Sequence, residues 1–230
     1  MSRIFEGVEA LTFDCYGTIV DWETGILAAA RELLGVVAVG ADGVLEWYGR
    51  PEPEAERPAF RRYRDVLADV AQRMARSAGR SVSDDEAARF AASVPLWPPF
   101  ADSRAALQRL SSQYRLAIVS NVDDDLFEGT ARRLGIDFDP VVTAEQVGCY
   151  KPEPDHFHEV LRRLDLPLDR VVHVAQSLYH DVAPATALGF RCVWVDRRQG
   201  RPGSGATPPA EATPDLVVPD LAALAREAGV

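Results

Sequence analysis

The sequence predicts an α/β fold, a doubly wound parallel sheet carrying an inserted α-helical cap. Three observations carry that reading. Five short apolar runs have the length and composition of buried parallel strands, and helical segments separate most of them at roughly 30-residue spacing. Between them, from Trp22 to Val94, lies a long stretch without any convincing strand. The first run is "VEALTFD" (8–14). It is followed after the insert by "RLAIVSN" (115–121), "PVVTA" (140–144), "RVVHVAQ" (170–176) and "RCVWVD" (191–196). The intervening helices are expected over 101–113, 123–135, 153–165 and 177–189, and right-handed crossovers join such units. "PDLVVPDLAALAREAG" (214–229) adds a last short strand and a closing helix.

The insert reads as helices at 24–35, 41–50, 58–79 and 83–94, and the chain re-enters the core at "WPPF" (97–100). The expected division is a core of 1–21 and 96–230 with a cap of 22–95. Such a cap would sit over the carboxyl ends of the strands, where open α/β sheets bind ligands. The segment 197–214 is rich in Gly and Pro and reads as surface loop.

The bulk numbers restrict the function. At 230 residues the chain is long enough for one large domain, or a core plus a smaller insert. A net charge of −10 argues against a nucleic-acid partner or an anionic membrane surface. The N-terminal residues carry no apolar signal core, and no run approaches the roughly 20 apolar residues of a membrane span. Three cysteines at wide spacing (Cys15, Cys149, Cys192) suit reduced thiols in a cytoplasm.

The strand ends gather chemistry. The first brings Asp14 and Thr18, and the second Ser120 and Asn121. The turn after the third brings Lys151, and the segment after the fourth brings Asp181. A carboxylate, a hydroxyl, a lysine and a second carboxylate at one sheet edge make an anion-handling site with a nucleophile. Each has a plainer role available, as strand-end acid, helix cap, turn lysine or helical acid.

The stretches "FDCYGT", "VSN", "YKPEPDHF" and "SLYHDVAPATALG" resemble, in order, the four motifs of the haloacid dehalogenase superfamily, and cover the core from Phe13 to Arg197. The resemblance implies a Rossmann-like core with a cap, and a hydrolase with Asp14 as nucleophile. Lys151, Asp181 and Ser120 would be its catalytic companions, and Tyr16, Thr18, Asn121 and Ser177 would line the substrate. Arg50, in "EWYGRPEPE", is the cap arginine expected on a substrate carboxylate, because its planar fork suits bidentate pairing. It competes for that role with Arg57, Arg61, Arg62 and Arg64.

The family divides two residues after the nucleophile. Its phosphatases carry an Asp there, which protonates the departing alkoxide. Its dehalogenases carry Tyr, since halide leaves without a proton. Tyr16 places this chain with the second group. The phosphatase Gly-Asp of the fourth motif reads Ala175-Gln176 here, so no metal set and no cofactor is expected, with a weak magnesium site around Asp14 and Asp181 left open. Other positions depart from the best-known dehalogenases: Gln176-Ser177-Leu178 stands for Ser-Ser-Asn, and Phe157 for Tyr. Several stretches are more similar to an offshoot that includes azetidine-2-carboxylate hydrolase.

The expected function is therefore hydrolysis of short 2-substituted carboxylic acids through an Asp14 ester. The alternatives are opening of a C–N ring of the azetidine type, a magnesium-dependent phosphatase, or a silent binding module. The expected partner is a small carboxylate, with neither nucleic acid nor membrane, and a homodimer is left open.

Overall fold

Strands form here where apolar residues run unbroken, because both faces of a parallel sheet are covered by helices. The computed structural model describes residues 2–56, 59–201 and 206–230, without the Pro53 side chain. Its strands are β1 (Ala10–Phe13), β2 (Arg115–Ser120), β3 (Val141–Thr143), β4 (Val171–Ala175), β5 (Arg191–Val195) and β6 (Leu216–Val218). They form one sheet in the order β3-β2-β1-β4-β5-β6, with every pairing parallel. Alternate residues serve the two faces. Leu11, Phe13, Ile118 and Val174 join one hydrophobic cluster, while Ala10, Ala117, Val119 and Ala175 join the other. That alternation is the period-2 pleat of any strand.

The order reverses between β1 and β4, so the chain leaves their carboxyl ends in opposite directions. This crevice is the ligand position of an open α/β sheet. The core helices are α6 (Ser103–Leu110), α7 (Asp124–Leu134), the single-turn α8 (Ala144–Val147), α9 (Asp155–Leu164), α10 (Ala183–Ala187) and α11 (Leu221–Ala228). Between Trp22 and Leu96 every described element is helical: α1 (Trp22–Leu34), α2 (Ala41–Gly49), α3 (Glu52–Ala55), α4 (Tyr63–Ser77), α5 (Asp84–Ala91) and a short 3₁₀ turn at Val94–Leu96. The apolar stripe of α4 (Val66, Leu67, Val70, Ala71, Met74) is wholly buried and packs on α5 and α2. No helix among the described residues is long and apolar enough to cross a membrane.

Three expectations change, each for a local reason. The cap helix expected from Pro58 begins at Tyr63, because Arg62 is extended and the buried Asp123 carboxylate accepts from the backbone N–H of Tyr63 (2.7 Å) and Arg64 (3.1 Å). Asp123 stands at the N-cap of α7, yet its side chain caps α4 of the cap instead. The helix expected at 177–189 opens with a π turn, Leu178–Val182, in which Val182 N–H reaches back five residues to the Ser177 carbonyl at 3.1 Å. The 197–214 loop is not all surface. Ala206 and Thr207 are buried, and a Cβ on Gly49 would lie 2.7 Å from the Ala206 carbonyl oxygen. Glycine at 49 is what lets the end of α2 rest on that loop.

Candidate active site

β1 delivers Asp14 to the crevice with its backbone N–H on the Val174 carbonyl (3.1 Å), so the carboxylate leaves the sheet between β1 and β4. Gly17 makes the following turn at φ +95°, a conformation that favours glycine. The turn brings the Thr18 hydroxyl back onto Asp14 Oδ2 at 2.7 Å. Thr18 Oγ1 in turn accepts from the Gln176 backbone N–H (2.8 Å). Asp14 is thereby oriented by its own loop and by the end of β4.

Lys151 reaches the same point from the turn before α9. Its Nζ donates to Asp14 Oδ1 (3.0 Å), Asp181 Oδ1 (2.6 Å) and the Val119 carbonyl (2.9 Å), using all three protons. The ammonium is 1% exposed and Asp181 is 0% exposed. A charge buried so completely is tolerated only because it is paired and hydrogen-bonded. Burial pushes the Asp14 carboxyl up from its ordinary value, and Lys151 and Thr18 pull against that without cancelling it. Asp181 goes the other way, to about 2, because Lys151 and His173 outweigh its burial. His173 Nε2 lies 3.1 Å from Asp181 Oδ1 while Nδ1 faces the Thr12 hydroxyl at 2.9 Å. The arrangement that satisfies both contacts has Nε2–H donating to the carboxylate.

The expected residues divide on inspection. Asp14, Tyr16, Ser120, Asn121, Lys151, Ser177 and Asp181 line one cleft, and Thr18 stands just behind Asp14. Ser120 Oγ is buried there with no hydrogen-bond partner among the described residues. Asn121 has a narrower role than substrate contact. Its carboxamide accepts from Lys151 N–H (2.7 Å) and donates to the Lys151 carbonyl (3.1 Å), so it fixes the lysine's backbone. Ser177 Oγ sits 3.1 Å from His180 Nδ1 and accepts from the His180 backbone N–H at 2.9 Å. His180 lines the cleft, and burial lowers its imidazole to about 4. Tyr16 forms part of the cleft wall. Its hydroxyl bonds Thr130 Oγ1 (3.0 Å), its ring stands edge-on to Trp97, and burial raises its phenol well above the ordinary value.

The structure departs from the expectation for Arg50. It is not brought to the cleft: its side chain is 78% exposed and pairs with Glu46 one helical turn back. Among the other expected arginines, Arg61, Arg62 and Arg64 pair with Asp69, Asp123, Asp125 or Glu145, and Arg57 lies outside the described residues. The cap wall of the cleft is instead Trp22, Glu52, Glu56 and Tyr63, with Thr207 from the loop. Glu52 is 4% exposed and accepts from the hydroxyls of Tyr48 and Tyr63, each at 2.8 Å. No spacing around "RPEPEAERP" singles out Glu52 in the sequence.

For a dication the donor set fits poorly. Asp14 and Asp181 share Lys151, Gln176 stands where a further acid would, and no cluster of three potential ligands occurs among the described residues.

A family model described as haloacid dehalogenase-like hydrolase matches residues 8–189. Haloacid dehalogenase-like hydrolase domain-containing protein 3 of Danio rerio is 32% identical over 108 residues, which are 46% of this chain and 44% of that protein. An (S)-2-haloacid dehalogenase of Pseudomonas putida is 23% identical over 229 residues, 96% of each chain. Among solved structures, L-2-haloacid dehalogenase from Xanthobacter autotrophicus with chloropropionic acid covalently bound has the same fold. Its TM-score is 0.80 at 22% identity, covering 95% of this chain and 97% of that one.

Proposed function

The chain belongs to the haloacid dehalogenase-like hydrolases, and on that premise we propose that it hydrolyses short 2-substituted carboxylic acids by displacement at the substituted carbon. Asp14 is the nucleophile and an Asp14 ester the intermediate. The observation that supports this most is a single oriented carboxylate at the switch point. One oxygen lies on Lys151 Nζ and the other on the Thr18 hydroxyl, and residue 16 is a tyrosine bonded to Thr130 in place of a second acid. The Pseudomonas putida relative, similar over nearly its whole length, supports the substrate class.

The Asp14 carboxylate attacks the substituted carbon from the face opposite the substituent. The new C–O bond forms as the substituent departs with its electron pair. Ser120, buried beside Lys151 with its hydroxyl uncommitted, donates to the substrate carboxylate. Water then attacks the carbonyl carbon of the ester, the 2-hydroxy acid leaves and the Asp14 carboxylate returns. Asp181, itself bonded by His173, holds Lys151 in place through both steps. The proposal includes no cofactor.

Heavy-oxygen water tests it. With enzyme in excess over a 2-substituted acid, the first-turnover product takes its oxygen from Asp14 and carries no label, while the peptide containing Asp14 acquires it. Label in the first-turnover product, with none in that peptide, means that water attacks the substrate directly, and the proposal falls.

A further inference from the structure

Displacement at the substituted carbon uses the core wall of the cleft alone, yet the cap wall carries charge. Among the described residues that line the cleft, Asp14, Glu52, Glu56 and Asp181 are acids, Lys151 is the one permanent cation, and no arginine is present. Lys151 spends its three protons on Asp14, Asp181 and the Val119 carbonyl, and burial keeps His180 neutral near pH 7 by lowering it to about 4. A substrate that brought only a carboxylate would add one more anion to this set. Like charges juxtaposed away from bulk water are strongly unfavourable.

Glu52 is held as an acceptor. It is buried, and the hydroxyls of Tyr48 and Tyr63, from α2 and α4, both donate to its Oε1 at 2.8 Å. Oε2 takes no hydrogen bond and no ion pair among the described residues. The two oxygens therefore divide: Oε1 anchors the side chain in the cap, and Oε2 keeps its acceptor capacity on a residue that lines the cleft. Burial raises the carboxyl to about 7, so a cation at Oε2 would supply the compensation that the protein does not. Trp22 and Tyr63 line the same wall, and aromatic rings attract ammonium groups. On the core wall the Ser120 hydroxyl is buried without a partner among the described residues. Buried polar groups are rarely left so, and an uncommitted donor facing an uncommitted acceptor marks the two ends of one ligand.

We propose that the substrate is an open-chain zwitterion, a 2-substituted carboxylic acid whose short side chain carries an ammonium, and that Glu52 Oε2 receives this ammonium while Ser120 receives the carboxylate. The inference rests on Asp14 as the nucleophile. It concerns a charge that the substrate keeps, not the group that it loses. Asp14 attacks the substituted carbon, the bond to the substituent breaks with its electron pair on the substituent, and the C–N bond stays intact. Water then releases an amino-2-hydroxy acid. Glu52 accepts a hydrogen bond throughout and transfers no proton. Its acid wall also acts against uncharged side chains, since a substrate without the cation leaves the buried carboxylate uncompensated.

The test is product binding, which does not depend on turnover. Calorimetry at neutral pH compares 3-amino-2-hydroxypropanoate with 2-hydroxybutanoate, and 4-amino-2-hydroxybutanoate with 2-hydroxypentanoate. Within each pair an ammonium replaces a methyl group of similar size. The wild-type enzyme should bind at least one ammonium compound about tenfold or more tightly than its methyl partner, as a charge-assisted hydrogen bond allows. Glu52→Gln should bring that ratio within about twofold and leave the methyl compounds within about threefold, because it removes the charge and keeps the shape. Tyr63→Phe, which keeps the carboxylate and removes one anchor, should lower the ratio less. Melting curves verify that both variants fold, and the wild-type comparison stands even where one does not. Methyl compounds bound as well as their ammonium partners at both lengths, or a preference for ammonium that survives in folded Glu52→Gln, overturns the inference. Turnover of 2-chlorobutanoate retained in Asp14→Asn overturns the underlying reading instead, whatever Glu52 binds.

Discussion

The two walls of the cleft are built on different terms. On the core wall, Asp14, Ser120, Lys151 and Asp181 arrive from four separate segments, yet all stand at the carboxyl edge of one sheet. Parallel strands deliver their following turns to the same edge, so position in the chain is enough to predict convergence. The cap wall is made by short helices, and there position is not enough. Tyr48 of α2 is fully buried, whereas Arg50, two residues on, is turned about 200° around the axis and faces solvent. A shift of two residues decides whether a side chain is buried in the cap or faces solvent.

The largest effect to expect is on the core wall. Asp14→Asn removes the nucleophile while keeping nearly the same shape, so turnover should fall by several orders of magnitude. Its melting temperature should stay near or above the wild-type value, since one of two carboxylates competing for Lys151 is neutralised. Stopped kinetics and a melting curve on one preparation check both parts. Residual turnover within tenfold of wild type would erase the contrast between the walls.

Next comes Lys151→Met. It leaves two carboxylates buried without their cation, and breaking a buried pair in this way costs about 3–5 kcal/mol. Turnover should drop by orders of magnitude as well. The stability deficit should shrink as the pH is lowered, because the orphaned carboxylates then take up protons. Denaturant titrations at neutral and acid pH read this directly.

This asymmetry also explains how much the sequence discloses. The sheet, the helical insert and Asp14, Thr18, Ser120, Lys151 and Asp181 follow from apolar runs and strand-end residues. The missed features are those decided by packing at a distance. Asp123 caps a helix of the other region, 60 residues away in sequence, and no local pattern marks it. Thr207 reaches the cleft from a Gly/Pro-rich loop that local composition assigns to the surface. Glu52 sits among prolines and acids, and its burial depends on Tyr48 and Tyr63 arriving from two other helices.

A more modest effect separates the cap wall by pH. Glu52 ionises near 4.5 in the unfolded chain and about 7 in the folded one. Between those values the folded state holds a proton that the unfolded state has lost. Its stabilising contribution is therefore complete below about pH 4.5 and disappears as the pH rises through 7. The shift corresponds to about 3 kcal/mol at most. His156 and His180 slope the opposite way, being lowered to about 3 and about 4, so total stability conceals the effect. The difference between wild type and Glu52→Gln isolates it. Melts from pH 4.5 to 8 should show the variant gaining steadily on wild type. A constant difference would mean that Glu52 does not change its protonation in that range.

The smallest effect is expected at Arg50, and it is informative because it is small. An exposed arginine on an exposed glutamate one turn away contributes under about 0.5 kcal/mol. It lies on the far side of α2 from the buried Tyr48, and the cleft is lined from the cap by Trp22, Glu52, Glu56 and Tyr63. Arg50→Ala should therefore leave kcat and KM within about twofold, and stability within a few tenths of a kcal/mol. Its value is as a control on the geometry. A substrate carboxylate held by this arginine would lose a charge-assisted bidentate pair on truncation, and KM would rise tenfold or more. That result, with the melting temperature unchanged, would show that the cap turns when substrate binds and presents its basic face. The acidic wall drawn around Glu52 would then belong to the open enzyme alone. An unchanged KM leaves recognition of the carboxylate to the uncommitted Ser120 hydroxyl on the core.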